Sequence, residues 1–207
     1  MPSPTVTVTE AVAALGSRDP VLARLIERHG AAPPRRRVPA SDRFGALARM
    51  IVHQQLAGSA AASIHRRFVD ALGGEVTAAS VLAASPALLI SCGLSRAKEA
   101  SIRDLADKVL SGEVELDRIG RLADADVVAH LTVVRGVGPW TAQMFLMNTL
   151  SRLDVWPTGD FGVRAGFGRA WGLDGPPAPN ELEALGEPFR PYRSLVAWYC
   201  WRAADER

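Results

Sequence analysis

The sequence holds only two cysteines in 207 residues, Cys92 and Cys200, and they form no Cys-x-x-Cys pair. That argues against a zinc site, an iron–sulfur cluster or a disulfide framework, and leaves buried free thiols as the expectation. Charge of one sign is scarce as well. Lys and Arg number 24 against 22 Asp and Glu, a net charge of +2, which neither demands nor excludes a polyanionic partner. Any surface for such a partner must be a local patch. The four histidines, His29, His53, His65 and His130, show no ligand spacing, so no side-chain metal site is assigned. No apolar run reaches membrane-spanning length, and the opening Met1-Pro2-Ser3-Pro4 lacks the charged and apolar regions of a secretion signal. A soluble intracellular protein without a membrane partner is expected. Internal repeats and long low-complexity segments are missing too.

What is present is apolar residues at helical spacing. Hydrophobic residues make up 48% of the chain, enough for one substantial core or two small lobes. Phe44, Leu47 and Ile51, then Ile64, Phe68 and Leu72, then Ile102, Leu105 and Val109 recur on one helical face each. An all-α fold follows. Ser41-Asp42 is a candidate cap, Gly58-Ser59 separates two helices of a pair, Leu94-Ser95 precedes a helix reaching Leu110, and Asp124 starts one running to Val134. Thr5 to Thr9 alternates like a short strand. The stretches from Gly30 to Pro39, with Arg35-Arg36-Arg37, and from Gly172 to Pro179 read as loops. The arginine run is a solvated loop or a nucleic-acid contact.

The informative segment runs from Leu131 to Gln143 and continues from Val155 to Arg164. Gly136 ends a helix, Gly138 permits a tight hairpin without a Cβ in the way, and Pro139 suits the first position of the next helix, where its missing N–H is not needed. Such a helix-hairpin-helix presents backbone N–H groups beside a helix N-terminus. That is a sequence-independent phosphate site which requires no strongly basic composition. The hairpin carbonyls, at Arg135 and Val137, are candidate ligands for a structural monovalent cation bridging to the phosphate. No other cofactor is expected. A Gly-Val-Gly turn with a distant acid also resembles a dinucleotide-binding turn, but position 141 is Thr rather than the third glycine, and no alternating strands surround it.

Asp160 follows Pro157-Thr158-Gly159 and precedes a predicted helix from Phe161 to Trp171, whose positive end favours an anion. In isolation it reads as a helix N-cap, and that role can coexist with chemistry. Cleaving an N-glycosidic bond builds positive charge on the sugar. A carboxylate beside it stabilises that charge and orients or deprotonates the attacking water. The base must leave the stack to reach it, so a pocket of rings is expected, with Trp140, Phe161 and Trp201 as candidates. An alkylated, cationic purine gains about 0.5–2 kcal/mol per good aromatic face. Of the tryptophans Trp140, Trp156, Trp171, Trp198 and Trp201, at least two are expected in the core.

These residues resemble the helix-hairpin-helix DNA glycosylase superfamily, in its 3-methyladenine DNA glycosylase II branch. Ile51-Val-His-Gln-Gln-Leu56, Gly93-Leu-Ser-Arg-Ala-Lys98 and Arg190-Pro-Tyr-Arg-Ser194 through Trp201 look like family segments too. The resemblance implies that Asp160 is the catalytic carboxylate and that Trp140, Phe161, Trp201 and Met144 surround the base. Met144 stands where some relatives carry tyrosine. It further implies that Gly136, Val137, Gly138, Thr141, Arg96 and Lys98 contact DNA and that Gln55 wedges into the duplex. The alternative reading of Gln54 and Gln55 is that they bridge helix ends by hydrogen bonding. Trp140 occupies the position of the Schiff-base lysine of bifunctional members, so lyase activity is not expected.

The implied molecule is a single domain of two helical lobes, about 43–152 with the hairpin at 131–143 and about 10–42 plus 153–207, with a cleft between them. The short region before Phe44 leaves little room for the extra N-terminal domain of some relatives. The implied partner is double-stranded DNA with alkylated purines, met by a cytoplasmic or nucleoid-associated monomer. A non-catalytic damage-binding or scaffolding module is the rival reading.

Overall fold

The computed structural model describes residues 6–34, 36–56 and 58–206. Their regular structure is helical throughout, with no strand among the described residues. The chain crosses twice between two compact units, one of Met1–Arg36 with Ser151–Arg207 and one of Arg37–Leu150. The sequence pattern puts those crossings near 42/43 and 152/153.

The unit of residues 37–150 carries α3 (Arg43–His53), α4 (Gly58–Ala71), α5 (Ala78–Ala83), α6 (Pro86–Ser91), α7 (Arg96–Leu110), α8 (Asp124–Thr132) and α9 (Pro139–Asn148). The periodic apolar residues supply its core: Phe44, Leu47 and Ile51 of α3, Phe68 of α4, Ile102 and Leu105 of α7 are buried. Each large side chain so buried contributes about 1.5–3 kcal/mol of transfer free energy. α7 packs on α3 and α5, and α8 on α9. Ser95 caps α7 as expected, its Oγ accepting from the Lys98 N–H at 3.3 Å. Asp42 sits at the cap of α3 but makes no side-chain cap bond, because a 3-10 turn at Ala40–Asp42 leads directly into the helix. The Arg43 guanidinium, buried, instead ties α3 to the carbonyls of Leu116 and Asp117 at 2.7 and 2.9 Å.

The other unit carries α1 (Val8–Arg18), α2 (Pro20–His29), α10 (Phe161–Trp171), α11 (Pro179–Gly186) and α12 (Arg193–Asp205). Here the structure corrects the strand expected over Thr5–Thr9. Thr5 lies outside the described residues, Thr7 is an N-cap, and Val8 and Thr9 are helical. The Thr7 Oγ1 accepts from the Glu10 N–H at 3.2 Å while the Glu10 carboxylate accepts the Thr7 N–H at 2.8 Å. That reciprocal pair satisfies two donors locally, whereas a lone strand has no partner to satisfy it.

α12 packs on α2 and most extensively on α10. The α10–α12 crossing is backbone against backbone: a Cβ on Gly166 would lie 1.7 Å from the Cys200 carbonyl oxygen. Around it, Phe167 stacks on Trp171 at 4.1 Å between centroids and meets Trp156 and Phe189 edge-on at 6.2 and 6.4 Å. Trp156 and Trp171 therefore belong to packing. Both cysteines are buried and free, as expected. No helix among the described residues is long and apolar enough to cross a membrane.

Gly166→Ala is expected to cost about 3 kcal/mol or more, since the obstructing atoms are main chain and the helices must separate. Gly175→Ala, where an added Cβ meets nothing within 4 Å, should change stability far less. Urea denaturation of both variants measures the difference.

Candidate active site

The acid is built by a turn and a helix end. The Asp160 N–H donates to the Pro157 carbonyl at 2.9 Å, which closes the Pro157-Thr158-Gly159 turn and delivers Asp160 to the start of α10. Its Oδ1 accepts the Val163 N–H at 2.8 Å, so it is an N-cap. The same oxygen accepts from the Trp201 indole Nε1 at 3.0 Å. Two donors from different helices thus fix one carboxylate oxygen. Trp201 can reach it because residue 162 is glycine: a Cβ there would sit 3.0 Å from Trp201 Cδ1 and 3.1 Å from Asp160 Oδ1. Beside the acid, Phe161 is 68% exposed, an apolar ring held out at the first residue of α10. Burial, and to a lesser degree Asp160, push the Cys200 thiol well up, so that sulfur stays protonated.

The first turn of α12 fixes the segment leading to Asp160. Ser194 donates its N–H to the Leu153 carbonyl at 2.9 Å, and its hydroxyl accepts the Val155 N–H at 2.9 Å. Arg193, almost fully buried, pairs through Nε with Asp154 at 2.9 Å and donates to the Asp154 carbonyl at 3.1 Å. Arg190 meets the same carboxylate at 2.7 Å. The Arg190–Ser194 segment therefore holds the base of the loop, while Trp201, farther along the same helix, holds its tip.

The hairpin and the Gln55 turn form a second constellation, in the unit of residues 37–150. Gly136 has φ +74°, and a Cβ on it would lie 2.5 Å from Ser101 Oγ, so glycine is required twice over. Gly138 differs from expectation: its backbone is ordinary extended (φ −94°, ψ 176°), and an added Cβ would meet nothing within 4 Å. The tight turn belongs to Gly136, and Gly138 leaves open space at the N-terminus of α9, which no side chain caps. That open end has the geometry of an anion site. Gln54, Gln55, Gly136, Trp140 and Thr141 line a depression of about 400 Å³. Trp140 is 46% exposed. Gln55 is exposed and left-handed at φ +56°, a conformation costing a non-glycine residue about 1–2 kcal/mol.

Three of the expected site residues have contacts within their own unit. Thr141 is only 3% exposed, and its Oγ1 accepts from Gln54 Nε2 at 3.0 Å; the same amide donates to the Gly136 carbonyl at 3.0 Å. Lys98 donates to the carbonyls of Val52 and Gln54, both at 2.7 Å, so two of its three donors are committed to backbone. Met144 is 6% exposed in the core of its unit. A side-chain amide engages Thr141, backbone carbonyls engage Lys98, and the core encloses Met144. Val137 is buried and Arg96 exposed at the first residue of α7. Of the arginine run, Arg35 lies outside the described residues, Arg36 is exposed, and Arg37 donates to the Gly120 carbonyl at 2.7 Å.

Residues 48–191 match the model of the HhH-GPD superfamily base excision DNA repair protein family. Among curated relatives, a Saccharomyces cerevisiae DNA-3-methyladenine glycosylase is 30% identical over 200 residues, covering 79% of this chain and 67% of the relative. A Schizosaccharomyces pombe 3-methyladenine DNA glycosylase, solved in complex with abasic DNA, superposes with a TM-score of 0.83 at 28% identity, over 93% of this chain and 95% of that one. A Bacillus halodurans DNA-3-methyladenine glycosidase gives a TM-score of 0.79 at 30% identity, over 99% and 90% of the two chains.

Arg193→Met removes the buried one of the two guanidiniums that meet Asp154, together with its bond to the Asp154 carbonyl, and is expected to cost about 3 kcal/mol, whereas Arg190→Met, half-exposed, should cost under about 1 kcal/mol. Thermal or urea unfolding separates the two. A second expectation concerns pH. Burial first, then Arg49 and Lys98, hold His53 below its ordinary 6.5. The unfolded chain then binds more protons at mildly acidic pH, so stability falls as pH drops below 6.5 towards the folded value. His53→Gln should flatten that part of the stability-against-pH curve.

Proposed function

The chain belongs to the HhH-GPD superfamily of base excision DNA repair proteins, and we propose that it is a monofunctional DNA glycosylase that releases alkylated purines of the 3-methyladenine and 7-methylguanine type. The observation that carries this reading is the Asp160 carboxylate, pinned at the start of α10 by the Val163 N–H and the Trp201 indole, with an exposed phenyl ring beside it. A carboxylate whose donors are already in place stabilises an oxocarbenium-like sugar without reorganising, and it orients the water that attacks the anomeric carbon. The products are free base and an abasic site.

The remaining parts take consistent roles. The hairpin at Gly136-Val137-Gly138 grips a phosphate through main-chain amides, and Gln55 enters the duplex to fill the space left by the everted nucleotide. Exposed Phe161, beside Asp160, supplies an aromatic face that favours a cationic base over a neutral one. A monovalent cation at the hairpin would take the carbonyls of Arg135 and Val137, since that of Gly136 is spent on Gln54, and would supply positive charge to the phosphate. Trp140 cannot form a Schiff base, so strand cleavage is not part of the reaction. The names of the relatives support the substrate class, and a monomer acting on double-stranded DNA is the expected working form.

The test is base release from duplexes carrying 3-methyladenine, 7-methylguanine, ethenoadenine or hypoxanthine, with strand cleavage followed without added alkali. Wild-type protein should release base, and Asp160→Asn should lower the rate by at least about a hundredfold while keeping DNA binding. No release by either form would leave the damage-binding scaffold as the correct reading. Cleavage at neutral pH would overturn the monofunctional assignment.

A further inference from the structure

One side of α7 carries three residues, each of which touches a different part of the duplex-gripping edge. Lys98 Nζ holds the carbonyls of Val52 and Gln54 at 2.7 Å, at the C-terminal end of α3, where carbonyls have no in-helix donor. Ser101, three residues on, leaves room for Gly136 and for nothing larger. Asp104, three further, accepts the Arg135 N–H on Oδ2 at 2.7 Å, and Lys108 holds its Oδ1 at 2.9 Å. Residues three apart lie on neighbouring turns of one helix side, so a single rigid rod meets both the turn before Gln55 and the hairpin.

Gln54 closes the circuit. Its carbonyl accepts from Lys98, and its side-chain amide donates to the Gly136 carbonyl and to Thr141. We infer that Lys98 and Asp104 are positioning residues that hold the Gln55 turn and the phosphate hairpin in one register for the duplex, with Gln54 as the link between them. The inference rests on the glycosylase reading above. A left-handed Gln55 persists only where its surroundings over-determine it, and the Lys98 bond to the residue before it is such a constraint. Burial pushes the Asp104 carboxyl up, but the Arg135 N–H and the Lys108 ammonium outweigh burial and hold it below the ordinary carboxylate range, so the bond to the hairpin amide is charge-assisted at neutral pH.

The experiment compares affinity with chemistry. Dissociation constants for a duplex containing a stable abasic-site analogue are measured for wild type, Asp104→Leu, Asp104→Asn, Lys98→Met and Gln54→Met, together with thermal midpoints and single-turnover base release at saturating damaged duplex. Asp104→Leu and Lys98→Met should each weaken binding about tenfold, as expected for loss of a charge-assisted hydrogen bond. Asp104→Asn, which keeps an acceptor for the Arg135 N–H, should recover most of that loss. The Asp104→Leu and Gln54→Met losses should be less than additive when combined, since both act on the hairpin. Unchanged affinity in Asp104→Leu and Lys98→Met, or a lowered thermal midpoint without a change in affinity, overturns the inference. If Asp104→Leu does not fold, Lys98→Met and Gln54→Met carry the test. A wild-type protein that binds the abasic duplex but releases no base would instead overturn the glycosylase reading, because the affinity comparison does not depend on turnover.

Discussion

The acid at the start of α10 depends on a helix crossing in which two main chains touch. Gly166 lets α10 lie against the Cys200 carbonyl, and only at that separation does the next residue of α12, Trp201, lie over the first turn of α10. Gly162 then gives the indole the space to reach Asp160 Oδ1. A side chain at either position would push the helices apart or displace the ring, and the carboxylate would lose its indole donor. The orientation of the acid is thus a packing property, set before any ligand arrives, which is the condition under which electrostatic stabilisation is most effective.

A second regularity links both units. Several charged side chains bond to backbone: Arg43 to Leu116 and Asp117, Arg37 to Gly120, Lys98 to Val52 and Gln54, Asp104 to the Arg135 amide, Arg193 to the Asp154 carbonyl. These bonds terminate helices and fix loops that have no regular partner of their own. The net charge of the whole chain is only +2. In the proposed function the grip falls to main-chain amides at the hairpin, whose partial charges do not count in the formal total.

Much of this was legible from local pattern. The bounds of α10, the capping role of Asp160, the Ser95 cap and the buried periodic residues of α3 and α7 all follow from signals a few residues long. Errors arose where two local signals compete or where the partner is distant in sequence. Thr5 to Thr9 alternates like a strand, yet the Thr7–Glu10 capping pair decides for helix from Val8. Both glycines of the hairpin look alike, and only the presence of Ser101 beside one of them tells which carries the turn. Gly162 and Gly166 drew no reading from the sequence, because they acquire meaning only with α12 placed on that face of α10.

The sequence alone determined the bounds of α10, the caps at Ser95 and Asp160, and that a glycine bend and an acid at a helix start lie in one segment, because these depend on interactions within about one turn of chain. Tertiary structure decided which polar side chains remain for a ligand. Lys98 and Thr141 carry the right chemistry to face DNA, but carbonyls and an amide from residues more than forty positions away claim them first. No local signal records such competition: the free energy of a buried donor is settled by whichever acceptor the fold brings within reach, and that is known only once the helices are packed.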